Sequence, residues 1–310
     1  MNGMATQLYV FADDKLTPLE APAARPLRWA AWHDGEALLV GNGGTALRFQ
    51  GRRFGPVDTG TKQNLRGAAF SPDGSEALLV GNRGLVLHHN GSNVRALPSP
   101  TNENLRRVAW HPSGEFALIA GNAGTMLRYQ DGALTPVPGD RAHTLRTIAW
   151  RPDGAYALVG AYASRYAGYP RPHALYKCDG LYLQALLTSD EEDDFVAVDW
   201  DQDGSHALIA GYAYDSARGT FANKLLTYDG RGFTSRAVEA SGALLGAAWH
   251  PGGSYALLCG EGATLLRYHA SGAIEQIDSA TDDNLVGPFW KPDGSLALLL
   301  RGPSERVYTV

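Results

Sequence analysis

Short, unbroken apolar runs recur along this chain, each leaving a glycine-containing turn and closing on or near a second glycine. Glu36-Ala-Leu-Leu-Val-Gly41 is one and Phe116-Ala-Leu-Ile-Ala-Gly121 another. A strand with one wet face alternates apolar and polar residues, whereas a strand covered on both faces reads as a continuous apolar run. Ala77-Leu-Leu-Val80, Ala117-Leu-Ile-Ala120, Ala256-Leu-Leu-Cys259 and Ala297-Leu-Leu-Leu300 are of the second kind. Upstream of each run stands an aromatic residue and a tight turn, such as SPDG after Phe70 or HPSG after Trp110. The seven aromatics are Trp32, Phe70, Trp110, Trp150, Trp200, Trp249 and Trp290, spaced 38, 40, 40, 50, 49 and 41 residues apart.

A period of about 40–45 residues with four short strands per unit predicts an all-β, seven-bladed β-propeller of four-stranded antiparallel blades. One such sheet buries neither face alone, and radial stacking covers both. Blade two shows the unit. Strand a is Leu65 to Phe70, innermost, followed by the Pro72-Asp-Gly74 turn and strand b, Ser75 to Gly81. Strand c is Leu85 to His89, Asn90-Gly91 is a hairpin signal, and strand d runs from Asn93 to Leu97. The two ends are complementary. The C-terminal segment carries strands a and b (Leu285 to Arg301) and a c-like stretch, Glu305 to Val310, but no strand d. Gln7 to Phe11 and Lys15 to Glu20 match strands c and d of the sixth repeat. The termini are therefore expected to share one blade and close the ring, with two c-like segments competing for one slot.

Composition narrows the function classes. A propeller spreads its core between blades, so residues 1–310 are expected to form a single domain. A net charge of −5 argues against a nucleic-acid partner. No apolar run reaches the roughly 18 residues of a membrane span. The N-terminal MNGMATQ lacks the regions of a signal peptide. The only cysteines, Cys178 and Cys259, fall in blades four and six and read as buried free thiols of a cytoplasmic protein.

The repeats resemble the tryptophan–aspartate (WD) repeat family and its bacterial propeller relatives. The likeness lies in strand a with its turn, as in Leu145-Arg-Thr-Ile-Ala-Trp-Arg-Pro-Asp-Gly154, and in Gly-Asn-x-Gly-Thr before strand c, as at Gly41 to Thr45 and Gly121 to Thr125. It covers nearly the whole chain. Strand c never ends in Trp-Asp, and no Gly-His pair precedes strand a, so the buried tetrad of true WD repeats is not expected. The resemblance implies a binding scaffold as a family tendency only.

Two departures from the repeat draw attention to one face. The b–c connections of blades four and five, Ala161 to His173 and Tyr212 to Lys224, are about ten residues longer than the rest. In this fold b–c and d–a connections meet at the top, around the channel mouth. The insertions carry Tyr162, Tyr166, Tyr169, Tyr212, Tyr214 and Phe221 with Arg165, Arg171, His173 and Arg218, residue types enriched at binding hot spots. They read either as a recognition surface for a protein or peptide or as two hairpins packed on each other.

The second residue of strand a is Arg28, Arg66, Arg106 and Arg146 in blades one to four, but Val196, Leu245 and Val286 in blades five to seven. Four guanidinium groups at the channel mouth suit a small anionic ligand, a carboxylate or phosphate. The structural alternative is that each bridges to a polar loop of the adjacent blade. Asp190-Glu-Glu-Asp-Asp194 is expected in the d–a connection between the insertion blades, as a solvated run, as a partner for Arg165, Arg171 or Arg218, or as a surface for a basic partner. Asp199-Trp-Asp-Gln-Asp-Gly204 opens like a calcium loop, but Ala207 and Ala210 stand where later ligands belong, so no metal is expected. His33, His111 and His250 share one turn position and read as packing residues. No local catalytic motif occurs, and no cofactor is implied. A non-catalytic interaction module is therefore favoured. The alternative is a lactonase- or lyase-like enzyme using the mouth arginines with Asp194, His143 or His173.

Overall fold

In the computed structural model, residues 6–140, 142–162, 173–189, 193–215, 220–240 and 242–303 are described. Seven four-stranded antiparallel blades follow one another, each with strand a innermost and strands b, c and d successively further out. Blade two is Leu65–Phe70, Ala77–Gly81, Val86–His89 and Val94–Ala96. The last blade is composite. Strands a and b are Leu285–Trp290 and Ala297–Arg301, and strands c and d are the N-terminal Thr6–Ala12 and Lys15–Ala21. Leu8 pairs with Leu300 and Phe11 with Ala297. The regular c slot thus belongs to the N-terminal segment. The competing stretch, Glu305 to Val310, lies outside the described residues.

The unbroken runs work as their composition requires. In blade three, Leu118 and Ala120 of strand b face the gap toward blade four, while Ala117 and Ile119 face the gap toward blade two. Period two thus divides one apolar run between two interfaces. Seven apolar clusters result, one for each gap. The innermost strands touch in sequence around the ring, with the seventh against the first. The strand-a indoles lock neighbours together. Trp32, Trp110, Trp150 and Trp290 donate Nε1–H to a strand-a carbonyl of the preceding blade at 3.0–3.4 Å. His111 and His250 pin the other side, reaching the turn carbonyls of Gly154 and Gly294 in the next blade at 3.0 and 3.1 Å. Arg151 takes that position in blade four, on Gly204 O. These contacts carry the packing role expected of the repeated histidines.

Candidate functional site: the top of the channel

Strand a is bulged in every blade. Leu27 pairs with Gly41 and Trp29 with Val40, so Arg28 has no partner of its own. The same skip leaves out Arg66, Arg106, Arg146, Val196 and Leu245. A bulge frees one residue from the ladder and re-aims its side chain. The four arginines singled out by the repeat are therefore the bulged residues of four consecutive innermost strands.

Three of them are held alike. Arg28 Nε donates to Asn42 Oδ1 at 3.1 Å, Arg66 Nε to Asn82 at 2.5 Å, and Arg106 Nε to Asn122 at 2.6 Å. Each asparagine opens the b–c turn of the same blade, so among the described residues these three arginines are held within their own blades rather than bridging to adjacent ones. Arg146 does cross to the next blade, forming a two-point ion pair with Asp194 at 2.8 and 2.5 Å. One residue deeper, Arg107 donates Nη1–H to the carbonyls of Arg66 and Arg106 at 2.8 Å each. Its guanidinium lies 3.9 Å over the Trp29 ring, which itself meets Phe289 of blade seven edge-on at 4.6 Å. Arg107, Trp29 and Phe289 thus bring blades three, one and seven together beneath the arginine layer.

These cations bear on one another electrostatically. Burial, followed by the charges of Arg28 and Arg146, lowers the pKa of Arg66. Arg106 is pushed down to about 9 by burial and then by Arg146 and Arg66. Arg107 also falls to about 9, by burial and then by Arg106, Arg146 and Arg66. All remain protonated at neutral pH. Arg146 moves the other way, because the Asp194 carboxylate outweighs its burial.

Blades four and five are joined at this level by a bridge between Tyr162 and Asp194. The Tyr212 hydroxyl donates to Asp194 at 3.1 Å. His143 meets the Tyr162 ring edge-on at 5.8 Å, and burial and Arg146 lower its pKa. Tyr212 packs against Phe221 at 5.6 Å. The blade-five insertion extends its own b–c hairpin. Ala207–Asp215 and Thr220–Tyr228 form one long hairpin, paired from Ala207↔Tyr228 to Asp215↔Thr220. Its Tyr, Phe and Thr content favours a strand, and Asn223 ties it to blade six through Gly242 O and Leu244 N–H. His173 stands on strand c, two strands out from the channel edge, bonded to Thr188 Oγ1 at 3.1 Å. Arg165, Tyr166, Tyr169, Arg171 and Arg218 lie outside the described residues, as does the side chain of Tyr214.

Comparison with known proteins gives a shape but no family. No family model and no curated protein sequence matches the chain. Solved structures match it widely, 1238 chains in all, so the architecture alone does not select a function. One of them, described as "YCF48 bound to D1 peptide", has a TM-score of 0.66 over 91% of this chain and 95% of its own, at 15% identity. The likeness is one of fold.

The remaining sequence candidates resolve locally. Asp193 and Asp194 open strand a of blade five, Asp193–Trp200, rather than lying in the connection before it. Asp193 accepts from Ser189 Oγ at 2.6 Å and lies 3.8 Å from Lys224. Asp190, Glu191 and Glu192 are outside the described residues. The acidic opening of Asp199 to Asp203 is split. Asp199 accepts the Trp249 backbone N–H at 2.7 Å, whereas Asp201 and Asp203 accept from Ser205 and His206 within their own turn. Cys178 and Cys259 are buried free thiols, and burial raises both pKa values. No helix of the described residues is long and apolar enough to cross a membrane.

Proposed function

We propose that this chain is a non-catalytic binding module, one propeller domain that recognises a protein or peptide on its top face, chiefly over the b–c hairpins of blades four and five. The observation that carries this reading is the convergence of Tyr162 and Tyr212, the roots of the two insertions, on the Arg146–Asp194 pair at the channel mouth. Both insertions therefore rise from one rigid platform, which suits the presentation of aromatic and guanidinium anchors. YCF48, solved with a D1 peptide, is an example of this shape holding a peptide. The two buried thiols suit a reducing compartment such as the cytoplasm.

An enzymatic reading has less support. Asp194, the carboxylate at the mouth, is committed to Arg146 and Tyr212, and His173 stands away from the channel. The test is the affinity of a partner co-purified from the native cell for Tyr166→Ala, Tyr169→Ala and Tyr214→Ala. A central hot spot is worth about 2 kcal/mol or more, so each central residue should cost at least roughly 30-fold. Indifference to all three substitutions would sink the reading. Global unfolding would do the same, by making these tyrosines packing residues.

A further inference from the structure

We propose that the top of the channel is an oxyanion site, in which a carboxylate or phosphate group seats over Arg28, Arg66 and Arg106 with Arg107 beneath. Three observations converge on it. The first is charge balance. Arg28, Arg66, Arg106 and Arg146 are the bulged residues of four consecutive innermost strands, Arg107 bonds the carbonyls of Arg66 and Arg106 beside them, and Asp194 is the one carboxylate among the described residues that any of the five contacts. It is already engaged in a two-point pair with Arg146. The other four cations crowd one another in a chain whose overall charge is −5.

The second observation is the choice of holder. Asn42, Asn82 and Asn122 grip each guanidinium through Nε only. Asparagine is neutral, so it orients the fork without neutralising it, and the Nη edge stays available for a two-point contact. Blade four shows the alternative. There the asparagine position is Tyr162, and the chain supplies its own carboxylate, Asp194. The Arg146–Asp194 pair is thus an internal example of the contact an outside oxyanion would make on the other three. The third observation is coupling within the repeat. Where the arginine becomes Val196, Leu245 or Val286, the asparagine becomes Tyr212, Glu261 or Gly302. The neutral holder occurs only in blades that carry the arginine, and the one arginine without it, Arg146, is paired with a carboxylate instead. A packing role for the arginines alone does not call for a holder that leaves the charge unbalanced.

The oxyanion is either a free ion or the carboxylate of a bound chain. The site itself does not depend on the peptide reading. Wild-type protein is treated with phenylglyoxal at about pH 8, and labelling of Arg28, Arg66 and Arg106 is followed by peptide mass spectrometry, with exposed Arg52 and Arg231 as internal controls. Four probes are added at constant ionic strength: inorganic phosphate, citrate, a decapeptide free of acidic side chains, and the same peptide amidated at its C-terminus. At least one oxyanion should slow labelling of the three mouth arginines roughly fivefold or more and leave the controls unchanged, because a two-point contact blocks the reactive edge. Protection by phosphate or citrate alone supports the site with a free ion as ligand and counts against the peptide as its source. Protection by the free-acid peptide and not its amide identifies a chain terminus. Calorimetry of the protecting probe on Arg66→Gln and Arg106→Gln should show affinity reduced at least about tenfold for each. Equal labelling with and without all four probes overturns the proposal, and rests on wild-type protein whatever the variants do.

Discussion

Replacing Asp199 by Asn should stabilise the protein at pH 8 and do little at pH 4. In five other blades the residue before the strand-a aromatic is alanine (Ala31, Ala69, Ala109, Ala149 and Ala248), and in the seventh it is Phe289. Blade five places a carboxylate there, crowded by protein but still touched by solvent. Burial raises its pKa from 3.8 to about 7, although the backbone N–H groups of Trp249 and Trp200 pull it down. The folded-state pKa therefore lies above the unfolded one. Between about pH 4 and pH 7 the folded chain holds a proton that the unfolded chain has released, so stability falls as pH rises through that window and is flat above it. Three units at about 1.36 kcal/mol each set a ceiling of about 4 kcal/mol, which residual solvent contact reduces. The seams around blade five are also less fully bonded than the others. Trp200 and Trp249 are buried indoles whose Nε1–H groups find no acceptor, unlike the indoles of blades one, three, four and seven. Asn retains an acceptor for the Trp249 N–H and removes the charge. For a chain of this size about 2 °C per kcal/mol applies, so melting at pH 8 should rise by up to roughly 8 °C. Calorimetric melting of wild type and variant from pH 4 to pH 8 measures the difference. Parallel pH profiles, or equal destabilisation at both ends, would refute the reasoning.

Three other outcomes are expected. Deleting residues 1–21 removes strands c and d of the last blade and the buried Leu8, Tyr9 and Phe11, each worth about 1.5–3 kcal/mol. Melting should collapse, and an unchanged transition would contradict closure by the N-terminus. Gly154 has φ 75°, and a Cβ there would stand 2.6 Å from His111 Nε2. Gly154→Ala should cost about 2–3 kcal/mol in denaturant titrations, from backbone strain plus the lost His111 bond, and Gly51→Ala, with φ 53° and open space, should cost less. Calcium should not shift melting relative to chelator, because Asp199 and Asp201 serve different strands and turns; a calcium-dependent rise abolished by Asp201→Ala would show otherwise.

The architecture was legible because it is written locally and repeated. Apolar runs announce two-sided burial, Asn-Gly and Pro-Asp-Gly mark turns, and the incomplete ends complement each other. The site was legible only in part. Arginine recurrence was visible, but the bulge that re-aims those side chains leaves no signature in a single strand. The asparagine of blades one to three was seen only as a repeat motif, although its restriction to blades that carry the arginine was a readable signal. Arg107 resembles any strand residue until Trp29 is brought beneath it from two blades away. The opening at Asp199 matched a calcium loop only in part, and sequence cannot say that its side chain leaves the turn for the neighbouring blade. The acidic run looked solvated because its last two residues become strand only by pairing with Ala213 and Tyr212.

On the proposed reading, a partner binds the top face of blades four and five. Hydrogen–deuterium exchange of the full chain, free and saturated with its co-purified partner, tests it directly. Protection should map to residues 160–175, 210–224 and the b–c turns that carry Asn42, Asn82 and Asn122. Protection confined to the outer d strands or to the turns at His111 and His250 would place the partner on another surface and contradict the account.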